Sequence, residues 1–190
     1  TSETTLGGIY IIRDPRNVFT SIKNHFSMNN DDAFKMITDK NRGLISDEGI
    51  FSSYTFISSW SDHYISWIKN NKFRRLIIRY EDLINNTYET FRDITVFTNT
   101  LLNITEGVNK KKLEKAIETT SFNKLKNFEI KDGLHNSVTN FKKWRNIHKE
   151  NKNLFFNLGP ENDWKNKVNK EISNEIEKHF RNEMVELKYL

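Results

Sequence analysis

The chain has 190 residues, enough for one domain with a substantial core or for part of a larger one. Its net charge of +5 is a mild, dispersed excess that favours an anionic ligand without demanding nucleic acid. There is no cysteine, which excludes disulfides, thiolate zinc sites and cysteine nucleophiles, and the apolar runs are too short to form a membrane-spanning helix.

Thr1 to Leu6 reads as a loop entering a strand, and the polar start so close to a core strand leads us to expect an incomplete reading frame. Ile9 to Ile12 is a short apolar run of the kind covered on both faces in a parallel sheet. Asp14 then offers an N-cap and Pro15 a first helical residue. The helix so started carries Val18, Ile22 and Phe26 on one face. Free backbone N–H groups and the positive end of the helix dipole meet at such a corner. Arg13, Arg16 and Ser21 would add side-chain donors, so the corner reads as a phosphate seat. The competing reading is a plain strand-to-helix corner with two solvated arginines.

Further along, Asp31 can cap a helix over Asp32 to Lys40, and Asn41 to Gly49 reads as a surface loop. Phe51 to Asn71 reads as one long helix with Phe56, Trp60, His63 or Tyr64, and Trp67 on a single face. That stripe is expected to be core, and His63 a hydrogen-bonded structural residue, since no second ligand stands four residues away. Phe73 to Tyr80 is a second buried strand, followed by a turn at Glu81-Asp82-Leu83. Two apolar strands separated by helices indicate parallel βαβ architecture, whose ligands gather at the carboxyl ends of strands, here at Arg13 and Tyr80.

Helices follow over Tyr88 to Leu102 and Asn109 to Thr119, and a shorter one opens at Thr120-Ser121-Phe122 and runs to Phe128. Lys110-Lys111-Lys112 lies on the exposed side of an amphipathic helix anchored by Leu113 and Ile117, and reads as a solvated face. Periodicity fades from Glu129 to Glu161, with Phe141, Trp144, Phe155 and Phe156 as anchors, a length that signals function or flexibility. A terminal helix over Lys170 to Leu187 carries Ile172, Ile176, Phe180 and Met184 at strict i+4 spacing. With no repeats and no low-complexity linker, residues 1–190 read as a single domain, whole or partial.

In this order the pieces resemble the cytosolic-type sulfotransferases, which use 3′-phosphoadenosine 5′-phosphosulfate (PAPS). Arg13-Asp14-Pro15-Arg16-Asn17-Val18 through Ser21 is similar to the family's R-[ND]-P-[KR]-[DN]-V-x-x-S element. Ser59-Trp60 through His63 to Trp67 is similar to its S-W-x-x-H-x-x-x-W helix. Tyr80-Glu81-Asp82-Leu83 resembles its Y-E-D-L turn, Thr120-Ser121-Phe122 its T-S-F element, and Asp163-Trp164-Lys165-Asn166 the end of its R-K-G-x-x-G-D-W-[KR]-N signature. The resemblance implies an α/β fold of the P-loop-NTPase-like kind, a parallel sheet flanked by helices and predominantly helical over this stretch. It assigns the nucleotide 3′-phosphate to Arg13 and Ser21, the adenine to Tyr80, Thr120 and Phe122, and a place in the phosphate-gripping loop to Gly159. It further implies a cytoplasmic enzyme that transfers a sulfuryl group from PAPS to a hydroxyl or amine of a small-molecule or carbohydrate acceptor. No metal, nucleic-acid or membrane partner is implied.

The departures carry equal information. The family's Arg-Lys-Gly becomes Asn157-Leu158-Gly159 and its second Gly becomes Asn162, so an amide replaces a cation; Arg145 or Lys143 are the substitutes expected. The family's C-terminal dimer motif is not kept, since Asn169, Lys170 and Asn174 occupy its key positions, and the oligomeric state stays unassigned. The glycine-rich phosphosulfate loop and the histidine base precede the Arg-Ser element in the family, and no G-x-x-x-x-G-K-like run occurs in this chain. No catalytic residue is therefore assigned here. The base is expected upstream of Thr1, and the 190 residues alone are expected to be inert. A non-catalytic basic module binding an anionic partner such as RNA is the alternative, opposed by aromatics at helix-core rather than sheet-face spacing.

Overall fold

The structure, a computed structural model, describes residues 4–48, 51–131, 154 and 156–190. Among them the first elements are β1 (Gly7–Ile12), α1 (Pro15–His25), α2 (Asn30–Thr38), β2 (Gly43–Glu48), β3 (Phe51–Phe56) and α3 (Trp60–Ile68). Next come β4 (Arg74–Arg79), α4 (Tyr80–Asn85), α5 (Thr87–Leu101), α6 (Lys110–Thr119) and α7 (Phe122–Lys131). Two short 3-10 turns, Gly159–Glu161 and Trp164–Asn166, precede α8 (Lys170–His179) and α9 (Arg181–Glu186). These residues fold as two compact units with interleaved sequences, one from Thr1–Ile11 and Arg74–Asn162, the other from Ile12–Phe73 and Asp163–Leu190.

In the first unit β1 and β4 pair as a two-stranded parallel sheet, the crossover pattern expected from apolar strands separated by helices. Gly7 suits the start of β1, because a Cβ there would push on the end of the Leu101 side chain and crowd the Arg74 carbonyl at 3.0 Å. The expectation that β1 is covered on both faces is corrected. Tyr10 and Ile12 are buried, whereas Ile9 and Ile11 point the other way and stay 39% and 50% exposed. Helices α4 and α5 pack on β4, α6 packs on α5, and none of α4 to α7 buries a side chain completely. The expected turn at Glu81 to Leu83 is a short helix beginning at Tyr80 itself. Lys110, Lys111 and Lys112 lie exposed on α6 with Leu113 and Ile117 turned inward, and Asn109 caps that helix through the Lys112 N–H. Helix α7 runs on to Lys131, past the expected end at Phe128; the anchors Phe141, Trp144 and Phe155, with Lys143 and Arg145, lie outside the described residues.

The second unit holds the main core: Phe19, Ala33, Ile37, Ile176, Phe180 and Met184, with Trp60, Val18, Ile22 and Ile172 packed around it. On α1 the buried face centres on Phe19 rather than on the expected Val18–Ile22–Phe26 row. Helix α1 ends at His25, Ser27 turns the chain at φ 53°, and Phe26 is left partly exposed. The cap of α2 is Asn29, not Asp31, and its side chain accepts the Asp32 N–H at 2.8 Å. The terminal stripe is buried as expected at Ile176, Phe180 and Met184, but the helix breaks at Phe180. An i+4 row drifts by about 40° per step on a straight helix, so a break is one way to keep such a row on one core.

The largest correction concerns residues 41–71. Residues 43–48 and 51–56 pair as antiparallel strands, β2 with β3, and the helix begins only at Trp60. Ser58 in the left-handed region (φ 65°) separates them, and Ser59 caps α3 through the Asp62 N–H at 3.1 Å. Phe56 therefore sits on β3, exposed, and not on the Trp60 face. Gly43 leaves room for the Tyr54 ring to lie over it from the neighbouring strand.

Candidate functional site

The corner between β1 and α1 forms as its residues dictate. Asp14 caps α1 by accepting the Arg16 N–H at 2.9 Å, and Pro15 occupies the first turn. Arg13 lies at the end of the strand, and its carbonyl accepts a hydrogen bond from Trp60 Nε1 at 3.2 Å, tying the corner to α3. Ser21, half-buried, stands on α1 two turns into the helix.

Arg16 is neither a phosphate donor nor a solvated residue. The residue is 5% exposed, and its guanidinium spends its donors on protein groups. Nε and Nη2 grip Asp14 at 3.0 and 2.7 Å, Nη1 grips Glu177 Oε1 at 2.6 Å, and Nη2 also reaches the Tyr189 carbonyl at 2.9 Å. The Trp164 ring lies 3.9 Å from the guanidinium carbon, and Asn17 Oδ1 accepts the Trp164 N–H at 2.8 Å. Burial lowers the pKa of Arg16, but hydrogen bonding and attraction from Asp14 and then Glu177 outweigh it, and the guanidinium is held charged. The two motif stretches at Arg13–Asn17 and Asp163–Asn166 are thus bound to one another.

His63 on α3 has its pKa lowered, by burial first and by the nearby Arg42 cation second. Arg42 is itself placed by a hydrogen bond to the Met36 carbonyl at the end of α2, while its own carbonyl receives the Ile57 and Ser58 N–H groups at 2.9 Å. A histidine whose folded pKa lies below the ordinary 6.5 binds fewer protons folded than unfolded across that window. Stability is therefore full above pH 6.5 and declines as pH falls toward the folded value. Urea midpoints measured at pH 7.5 and 5.5 should differ in the wild type and differ less in His63→Gln; an equal loss in both would assign the acid limb to other groups. No cluster of three or more metal-ligating side chains occurs among the described residues.

In the first unit, Tyr80 follows directly on β4 as the opening residue of α4. Thr120 ends α6, exposed, with its hydroxyl donating to the Ala116 carbonyl at 2.7 Å. The structure brings Phe122 and Gly159 together: Gly159 has φ 50°, and a Cβ at that position would collide with the Phe122 ring. Phe156 meets the same ring edge-on at 5.9 Å. Helix α7 holds this loop at two points, with Glu129 accepting the Phe156 N–H at 2.8 Å and Lys126 Nζ donating to the Asn157 carbonyl at 2.9 Å. Lys126 also stands 5.8 Å from the centre of the Phe122 ring. Sequence reasoning missed Lys126; the available signal was a lysine one helical turn after Phe122, on the same face of a helix.

A sulfotransferase domain model matches residues 4–188. Among solved structures, the crystal structure of mouse sulfotransferase SULT7A1 complexed with PAP superposes with a TM-score of 0.58 at 21% identity. The match covers 93% of this chain and 57% of that one, so the chain spans less than two thirds of the length of its structural relative. No curated protein sequence matches the chain. The fold agrees with the expectation of a P-loop-like α/β architecture, mostly helical with a parallel strand pair. A model matching almost from end to end, over five motifs in order, places the chain in the sulfotransferase domain family.

Proposed function

We propose that residues 1–190 form a single, partial sulfotransferase domain that carries the 3′-phosphate and adenine side of a PAPS site. The observation that carries the reading is the family match over residues 4–188, which spans both units and includes Arg13 at its strand-to-helix corner. The donor set suits the ligand. A guanidinium (Arg13) and a hydroxyl (Ser21) suit a dianionic phosphate, and aromatic rings (Tyr80, Phe122) with a hydroxyl (Thr120) suit a purine. Gly159 supplies a loop position where a side chain would be strained and would meet the Phe122 ring. PAPS, when bound, supplies an activated sulfuryl group that passes to an acceptor oxygen or nitrogen, the acceptor's proton going to a base and the S–O bond to the 5′-phosphate breaking. We place that base and the phosphosulfate loop outside these 190 residues, so that the chain alone binds nucleotide without turning it over. The whole enzyme is cytoplasmic in this reading and acts on a small-molecule or carbohydrate acceptor. Lys126 takes over the cationic role that Asn157 lacks, having two N–H donors left after its bond to the Asn157 carbonyl.

Titration with 3′-phosphoadenosine 5′-phosphate (PAP) tests the reading. Arg13→Ala should weaken binding by roughly 10- to 100-fold, the loss of one charge-assisted contact of ~1.5–3 kcal/mol, and Lys126→Ala by about tenfold. Unchanged affinity in Arg13→Ala would remove the phosphate seat. RNA binding that is steeply salt-dependent and indifferent to Arg13 would replace the enzyme reading with a binding module.

A further inference from the structure

Arg16 and Arg42, both in the second unit, are treated in opposite ways by their surroundings. Arg16 meets the carboxylates of Asp14 and Glu177 and the Tyr189 carbonyl, and its pKa is raised. Arg42 is half-buried just before β2, and its guanidinium meets one acceptor among the described residues. That acceptor is the Met36 carbonyl, left open at the end of α2, which takes a bond from Nη1. Arg42 Nε is buried and has no acceptor among the described residues, and none of their carboxylates closes to an ion pair with it. Asp39 attracts the cation but is held off, its Oδ1 accepting the Asn41 N–H at 2.8 Å. Burial outweighs that attraction and lowers the pKa of Arg42. A desolvated guanidinium without a partner costs stability, so its place in the fold calls for an anion that arrives from outside.

The backbone around Arg42 is held in place. Its carbonyl receives the Ile57 and Ser58 N–H groups at 2.9 Å, at the end of the strand pair where Gly43 faces Phe56. Ser58 Oγ donates to the Lys40 carbonyl at 2.8 Å, which ties the approach to β2 to the entry of α3. His63, in the first turn of α3, feels the Arg42 cation. In a guanidinium, Nε–H and the neighbouring Nη2–H point the same way, at the spacing of two carboxylate oxygens. We propose that Arg42 is the recognition residue of a binding site for a carboxylate-bearing small ligand, at the base of the β2–β3 strand pair beside α3. A monoanion suits the site better than a dianion, because a single guanidinium answers it while Asp39 repels any anion that enters.

The probe is acetate, with sulfate at matched ionic strength as the control, titrated into the 190-residue chain and followed by NMR at the Arg42 Nε–H and the His63 ring. Acetate should shift the Arg42 resonance saturably. It should also raise the His63 pKa toward its ordinary value, because the bound anion offsets the Arg42 cation. Sulfate should bind several-fold more weakly. Asp39→Asn should tighten acetate binding about two- to threefold by removing the local repulsion, and Arg42→Lys should weaken it roughly tenfold, since an ammonium lacks the fork. Asp39→Asn leaves Arg42 in place and supplies the answer if Arg42→Lys does not fold. No saturable shift at Arg42, sulfate binding as tight as acetate, or acetate affinity unmoved in Asp39→Asn would overturn the proposal. So would displacement of acetate by PAP, which would put the bound anion at the nucleotide seat instead.

Discussion

Phe180→Ala should lower the unfolding free energy by about 3–5 kcal/mol, a large share of the ~5–15 kcal/mol typical of a folded domain. Phe180 has no exposed surface and sits between α8 and α9, where the chain breaks. Its ring lies 5.1 Å from that of Trp60, and its neighbours in the core include Phe19, Ile176 and Met184. Truncation removes transfer energy and leaves a cavity lined by side chains from α1, α2, α3, α8 and α9, which cannot all move in to fill it. Urea denaturation followed by tryptophan fluorescence measures the loss directly. A shift below 1 kcal/mol would mean that the core does not centre on this residue.

Arg16→Ala is the second large effect, and its cause is different. The cost is not the ion pair itself, since replacing a whole buried pair by apolar groups is often neutral. It is the loss of the buried guanidinium that grips Asp14, since of the contacts Arg16 now makes to that carboxylate the backbone N–H alone stays. Breaking such a pair from one side typically costs about 3–5 kcal/mol, and the lost contact with Trp164 adds to it. Glu177 is the lesser partner, because its side chain is 27% exposed and can regain water. Adding Asp14→Asn to Arg16→Ala should recover much of the loss in urea midpoint. If the double variant is no more stable than Arg16→Ala alone, the cost does not lie in the Asp14 charge.

The corner around Arg13 was legible because its signals are local: an apolar run, then Asp-Pro, within a few residues. The order of helices and the inward rows at Leu113, Ile117, Ile176, Phe180 and Met184 were legible for the same reason, a period visible along one element. Residues 51–56 were misread as helix because Phe56 stands four residues before Trp60, a helical spacing that arises here by accident. Two signals would have corrected it: the Ser59-x-x-Asp62 cap and the Ser-Tyr-Thr-Phe stretch with its β-forming residues. The role of Arg16 was beyond reach, since Glu177 and Tyr189 lie 161 and 173 residues away and nothing local marks the pairing. Lys126 was hidden similarly, as its bond to the Asn157 carbonyl spans 31 residues. Sequence motifs located the corner and the loop, while the identity of the groups that hold them came from long-range contacts.

The most direct measurement is calorimetric titration of the unmodified 190-residue chain with PAP and, separately, with adenosine 5′-phosphate. The account predicts saturable PAP binding with a preference of at least about tenfold, the weight of one charge-assisted phosphate contact. Equal affinity for the two nucleotides, or binding of neither, would contradict the assignment of a 3′-phosphate seat to Arg13 and Ser21.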